Sequence, residues 1–280
     1  MARIACGVDG SDRSIMALHH AALCALRHGH ELVALHVIDP TADETISPKH
    51  GRVRVAEKVA ALELKLLPVL REHGARFTAV LTERGESIAE GLRRGAAEEG
   101  AALLALGSRG AGTLQRRVLG GVATELLGTA SLPVLLTGSA AAAPPKNAGP
   151  MLWLSDDAVG GAALARGLHG VLSGTQSSVV VLHVQAADMP APLAEVRFAA
   201  RIEAIRRLMP TGSSVQGRFE HVAAHVAILP RILEVANELS AESLALATSS
   251  HRLSHRLWGA STTLRLLERS PIPLVVVARR

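Results

Sequence analysis

The second half of this chain repeats the first. Shifted by 140 positions, Gly85–Leu136 falls on His225–Val276 without a gap. Ile88 then meets Ile228, Ala96 meets Ala236, and Leu104-Ala105-Leu106 meets Leu244-Ala245-Leu246. Leu126-Leu127 meets Leu266-Leu267, and Pro133 meets Pro273. Nearer the start the shift is 147, placing Leu35-His36-Val37 on Leu182-His183-Val184. A duplicated unit restricts the 280 residues to two copies of one fold, each of ordinary domain size.

Within the first unit, short apolar runs alternate with longer amphipathic ones. Ile4–Asp9 reads as a buried strand, and Ser11 or Asp12 caps a helix in which Ile15, Leu18, Ala22 and Ala25/Leu26 recur at helical spacing. Leu32–Ile38 is a second strand, ended by Pro40. From about Arg52 to His73 the pattern is helical, with Pro68 expected to kink or split it and Gly74 to stop it. Phe77–Leu81 is a third strand, Ser87 to about Glu99 a helix, and Ala102–Leu106 a strand with no polar position. A helix near Val122–Thr129 and the strand Pro133–Thr137 close the unit. Strands apolar on both faces, separated by helices, predict an α/β fold with a parallel sheet covered on each side.

Gly138–Pro150, GSAAAAPPKNAGP, is too poor in large apolar residues to build a core and reads as a linker. The expected division is a first domain over 1–138, the linker over 139–150, and a second domain over 151–280. The second unit is expected to run as strand Met151–Ser155, helix Ala162–Leu172, strand Val179–Val184, helix Val196–Leu208, strand Ser214–Phe219, helix Ile228–Leu239, strand Leu244–Ala247 and strand Leu274–Ala278.

Composition excludes several classes. Hydrophobic residues make up 48% and charged residues 20%, which rules out a disordered chain. Cys6 and Cys24, the two cysteines, sit in apolar runs and read as buried thiols of a reducing compartment. No stretch has the length and apolarity of a membrane span, and Met1–Asp9 enters a strand pattern without a secretory leader, so a cytoplasmic protein with no membrane association is expected. The net charge of +5 comes from arginines scattered along the chain, and with no tyrosine and 2% aromatics there is no platform for stacking bases. No nucleic-acid partner is expected.

Two loops at the carboxyl ends of predicted strands are candidates for ligand binding. One is Gly7-Val8-Asp9-Gly10-Ser11. The other is Gly107-Ser108-Arg109-Gly110, followed nine residues later by Gly120-Gly121 at the start of a helix. Glycines let backbone N–H groups approach an anion, and the helix start adds N–H groups and the positive end of its dipole. Arg109 supplies a cation. There is no Walker loop and no GxGxxG. A glycine-rich connection that binds nothing has the same sequence, so the loop alone leaves both readings open.

The run Leu103–Gly121, with its Gly-x2-Gly-x9-Gly spacing, resembles the nucleotide loop of the universal stress protein family. GVDGS (Gly7–Ser11), LHVID (Leu35–Asp39) and SLPVLL (Ser131–Leu136) are similar to other stretches of that family. The resemblance covers both units, so the chain looks like a tandem member. It implies two Rossmann-like domains, each an open five-stranded parallel sheet of order 3-2-1-4-5 with helices on both faces. It implies an adenine nucleotide, ATP with or without Mg²⁺, with adenosine near Gly7, Val8, Asp9 and Val37. The phosphates would lie between Gly107, Ser108, Arg109 and Gly110 on one side and Gly120, Gly121, Val122 and Ala123 on the other. Where the family carries Ser or Thr, this chain has Gly121 and Ala123, so two hydroxyls are missing. A hydrogen bond to a charged group is worth roughly 1.5–3 kcal/mol, so weakened binding is expected. Thr124 lies one residue out of register.

In the second unit Gly107, Gly110 and Gly120 correspond to Ala247, Ser250 and Ala260, and Asp9 to Ser155, which reads as a degenerate site. His251 and His255 have helical i, i+4 spacing, but no Glu follows His251 to make a zinc motif, so no metal site is expected. His36 and His183 fit an inherited packing or hydrogen-bonding role, while His19-His20 and His28/His30 read as helix-surface and turn residues. Arg116 and Arg117 either fold over phosphates or are solvated.

The expected function is a stress-response or regulatory protein that binds ATP in its first domain, not an enzyme beyond at most a weak ATPase. The alternative is a nucleotide-free scaffold for interaction and dimerisation. The resemblance further implies that the last strands, Val134–Thr137 and Leu274–Ala278, are sheet edges pairing the halves as a pseudo-dimer within one chain. A homodimer of such chains is a further expectation.

Overall fold

Strands without a polar face need cover on both sides, and the computed structural model provides it with helices packed on each face of a single sheet. The structure describes residues 2–39, 48–83, 85–109, 119–129, 131–145, 147, 149–155, 158–173, 177–186, 191–223, 227–249 and 262–279. The first half runs β1 (Arg3–Gly7), α1 (Asp12–His28), β2 (Glu31–Ile38), α2 (Pro48–Glu72), β3 (Arg76–Leu81), α3 (Ile88–Glu98), β4 (Ala101–Gly107), α4 (Gly121–Thr129) and β5 (Val134–Thr137). The second runs β6 (Met151–Leu154), α5 (Ala158–Gly167), α6 (His169–Leu172), β7 (Ser178–Ala186), α7 (Ala191–Arg206), β8 (Ser214–Val222), α8 (Ile228–Glu238), β9 (Ser243–Ser249), α9 (Thr262–Arg269) and β10 (Leu274–Arg279).

The strand order is β3-β2-β1-β4-β5-β10-β9-β6-β7-β8. Each half is therefore an open parallel sheet of order 3-2-1-4-5, and the repeat extends to register. Leu104 lies opposite Val134 in β4–β5, and Leu244 lies opposite Leu274 in β9–β10. The halves meet where β5 and β10 pair antiparallel, with Leu136 opposite Leu274, Leu135 opposite Val275, and Val134 opposite Val276. These two strands are edges of their own halves but lie in the middle of the ten-stranded sheet.

Alternation along the strands sends successive side chains to opposite faces. Val134, Leu136, Leu274 and Val276 join the apolar layer on one face, while Leu135, Val275 and Val277 join the layer on the other. Both layers thus run through the junction without a break. Burying each such aliphatic side chain contributes roughly 1.5–3 kcal/mol. Cys6 and Cys24 are buried free thiols in one layer, and burial pushes both thiols far above their ordinary pKa.

Three sequence expectations are corrected. Pro68 does not split α2, which continues to Glu72. Proline there removes the N–H that would reach back to Leu64, but Pro68 lies on the exposed side while Leu66 and Leu70 anchor the helix in the core. The helix expected over Ala162–Leu172 is two pieces, α5 and α6, with Gly167 packed so closely on Val277 that a side chain would collide with it. The third correction concerns the histidines of the first half.

His20, His28 and His30 are buried, not surface residues. The second half and the connection to it cover them. His20 Nε2 donates to the Ala142 carbonyl (2.8 Å), and His30 Nε2 donates to the Val171 carbonyl (2.7 Å). His28 Nε2 donates to Glu242 Oε1 at 3.0 Å and its Nδ1 faces Ser177 Oγ at 3.0 Å. Arg27 Nε lies 2.6 Å from Glu242 Oε2, completing a group in which the Glu242 side chain is 4% exposed. The connection itself is packed rather than free. The Ala142 N–H donates to the Pro271 carbonyl (2.9 Å), and the space a Cβ would need at Gly138 is taken by the Leu267 carbonyl.

Burial, offset in part by these carbonyl hydrogen bonds, lowers the pKa of His20 and His30 from the usual imidazole value. Protons then bind the unfolded chain in preference to the folded one below about pH 6.5, so stability falls as pH falls through that value. Urea unfolding at pH 7.5 and pH 5.5 checks the sign: a lower midpoint at the acid pH is expected, and a higher one would overturn it.

Candidate functional site

The order 3-2-1-4-5 reverses direction between β1 and β4, and a crevice opens there at the carboxyl ends of the strands. It holds a cavity of about 340 Å³, within the usual range for small-molecule sites. One wall is apolar, formed by Val37, Ile88, Leu92 and Leu106. Gly7 belongs to the same floor, because a Cβ there would lie 2.5 Å from Leu106 Cδ2.

The polar rim is built by local hydrogen bonds. Ser11 caps α1, its hydroxyl accepting the Ser14 N–H at 3.2 Å. Asp9 Oδ1 in turn accepts the Ser11 N–H (3.0 Å) and hydroxyl (2.6 Å), while the Asp9 N–H donates to Ser14 Oγ (3.3 Å). Lys65 Nζ donates to the Gly10 carbonyl at 2.5 Å, tying α2 to this loop. His36 Nδ1 donates to the Val8 carbonyl (2.8 Å), and His183 Nδ1 repeats that contact with the Ser155 carbonyl (3.1 Å) in the second half.

Across the crevice, Ser108 is buried and its backbone is held at both ends. Its N–H donates to the Thr137 carbonyl (2.9 Å), and its carbonyl accepts the Gly120 N–H (2.8 Å). The Gly120 amide is therefore already used and does not point into the crevice as a free donor. The first helical hydrogen bond of α4 runs from the Thr124 N–H to the Gly120 carbonyl (3.0 Å). Gly121, Val122 and Ala123 make up the opening turn, and their N–H groups have no acceptor within the helix. These three residues line the cavity at the positive end of the α4 dipole.

Of the residues selected from sequence, Gly7, Val8, Asp9, Val37, Gly107, Ser108, Arg109, Gly120, Gly121, Val122 and Ala123 all line this cavity. Gly110 lies outside the described residues, as do Arg116 and Arg117. Gly107 is small for a packing reason: a Cβ would come within 3.1 Å of the Arg13 backbone. A Cβ at Gly121, by contrast, meets nothing within 4 Å. Thr124 cannot stand in for the missing hydroxyls, since its Oγ1 donates to the Gly120 carbonyl (2.9 Å). Sequence reasoning did not place Ser14, His36, Ile88, Leu92 or Leu106 in the site. His36 had a signal in the repeated Leu-His-Val triplet; Ile88 and Leu106 stood out only as repeated apolar positions.

In the second half His183 in β7 and Ser155 at the end of β6 have partners of their own. His183 packs on Phe219 (5.1 Å between ring centres) and Phe198 (6.0 Å), and Arg201 Nη1 donates to the Ser155 carbonyl (2.8 Å). Ser250, His251, His255 and Ala260 lie outside the described residues.

Fold and crevice define a doubly wound α/β protein with a ligand-sized cleft at its switch point. Residues 1–138 match the family model described as the universal stress protein family. The chain is 32% identical over 133 residues to a universal stress protein of Thermus aquaticus, encoded beside a sulfhydrylase gene, covering 46% of this chain and 92% of that one. It belongs to the universal stress protein family. Two solved structures share the whole tandem fold. A universal stress protein of Archaeoglobus fulgidus matches with a TM-score of 0.64 and 20% identity, over 99% of this chain and 96% of its own. A protein of unknown function from Pseudomonas aeruginosa matches with a TM-score of 0.54 and 16% identity, over 100% and 93%.

Proposed function

We propose that the first half binds an adenine nucleotide, ATP, in the crevice between β1 and β4, as a stress-response or regulatory module. The observation that carries this reading is the pairing of an apolar wall at Val37, Ile88, Leu92 and Leu106 with the opening turn of α4, whose N–H groups have no acceptor within the helix. The wall suits a flat heterocycle and the turn suits phosphate. Asp9 is the sole carboxylate among the described lining residues, and its Oδ1 is committed to Ser11. Among the described lining residues little positions a metal ion and a water, and slow or negligible hydrolysis goes with the reading. The site belongs to the domain over 1–138; the domain over 151–280, joined through 139–150, serves as its structural partner in a protein of the cytoplasm.

The second reading, a nucleotide-free scaffold, is favoured by the lack of hydroxyls at Gly121 and Ala123 and by the inward turn of Thr124. Nucleotide released on denaturing freshly purified protein, followed by titration of the emptied protein with ATP and Mg²⁺, separates the two. About one equivalent per chain is expected. Gly121→Ser places a hydroxyl in open space at the opening turn and is expected to tighten ATP about 10-fold. No binding at millimolar ATP, in either form, would leave the scaffold reading.

A further inference from the structure

A second, larger cavity of about 960 Å³ lies at the opposite end of the strands, where β1, β2 and β3 begin at Arg3, Glu31 and Arg76. On its wall, His19 from α1 meets the end of α2. His19 Nδ1 lies 3.0 Å from His73 Nε2, with the rings nearly perpendicular at 85°. One ligand atom each from His19, Glu72 and His73 lies within 4.8 Å of the others. The two histidines are partly buried and Glu72 is exposed.

We propose that His19, Glu72 and His73 form a binding site for a zinc-type divalent transition-metal ion, with a fourth position open to the cavity. The donor set of two imidazoles and one carboxylate is a common one for three-ligand zinc sites. Two nitrogens bound to one tetrahedral zinc at about 2.0–2.1 Å stand about 3.3 Å apart, so the observed nitrogen pair needs to open by only a few tenths of an ångström. The cations sharing the cavity do not oppose the ion strongly, because they are held by carboxylates. Arg3 pairs with Glu31 (3.0 Å) and Glu99 (3.3 Å), and Arg76 pairs with Glu99. His30, also on the wall, donates to the Val171 carbonyl through Nε2 and takes no part. The site joins α1 to α2 across 54 residues of sequence and is separate from the crevice at the other end of the sheet.

The test titrates the full chain with Zn²⁺ against a chromophoric chelator and repeats the titration with Co²⁺, whose visible bands report a tetrahedral nitrogen–oxygen site. One equivalent at micromolar affinity or tighter is expected. His19→Gln and His73→Gln should each weaken it about 100-fold and abolish the Co²⁺ bands, and exposed Glu72→Gln, which leaves the core untouched, about 10-fold. His251→Gln with His255→Gln should leave the equivalent in place. Binding that survives the His19, His73 and Glu72 changes, that disappears with His251 and His255, or that is absent at about 100 µM Zn²⁺ would overturn the site.

Discussion

Replacing Glu242 by alanine is expected to lower the free energy of unfolding by about 3 kcal/mol, read as a shift of the urea midpoint. The Glu242 carboxylate is almost wholly buried against Arg27 and His28, the last two residues of α1 in the other half. Removing one member of a buried charged group costs about 3–5 kcal/mol, because the remaining groups keep their desolvation penalty without the compensating attraction. The lower end applies because the Arg27 side chain is 32% exposed and can turn to water. Glu242→Gln retains an acceptor for His28 and is expected to cost less. A loss below about 0.5 kcal/mol for the alanine variant would mean that the group makes no net contribution across the junction.

Placing a carboxylate at the opening turn of α4 should have an effect of similar size on the ligand instead of the fold. Gly121→Glu is expected to weaken ATP binding about 100-fold while leaving stability unchanged or raising it slightly. A Cβ at Gly121 meets no atom within 4 Å, so the new side chain has room. A negative charge in the first turn favours a helix by about 0.3–1 kcal/mol. The same charge repels phosphate: two unit charges about 4 Å apart at the dielectric of a protein surface repel by about 4 kcal/mol before screening, and a factor of about 100 corresponds to about 2.7 kcal/mol. Isothermal titration and thermal unfolding on the same preparation decide the matter. Equal ATP affinity in the variant and the parent would remove the α4 turn from the site.

The sheet was legible because its strands are apolar on both faces and because the pattern occurs twice. Leu104-Ala105-Leu106 and Leu244-Ala245-Leu246 have no polar position that would permit a solvated face, so strands covered on both sides fit them. The crevice was legible through its glycines, though for mixed reasons. Gly107 sits close against the Arg13 backbone, and the Gly120 N–H serves Ser108. What sequence spacing could not convey was long-range cover. His20, His28 and His30 look like exposed residues until partners 122, 214 and 141 positions away are brought against them. The same limit hid the pairing of His19 with His73, since the motif that spacing does suggest, His251 and His255, lies on one short segment. Pro68 misled as to a break, because its penalty falls on the exposed side of a helix that the core already holds.

The β5–β10 ladder also has a consequence for mass action. Two separate copies of a one-unit protein would meet through such an edge at a rate and extent set by their abundance. Here both edges belong to one chain, so their pairing is an intramolecular step. The assembled sheet is then indifferent to dilution. One half can lose its glycine loop, as Ala247 in place of Gly107 marks, and still cover the edge strand of the half that keeps it.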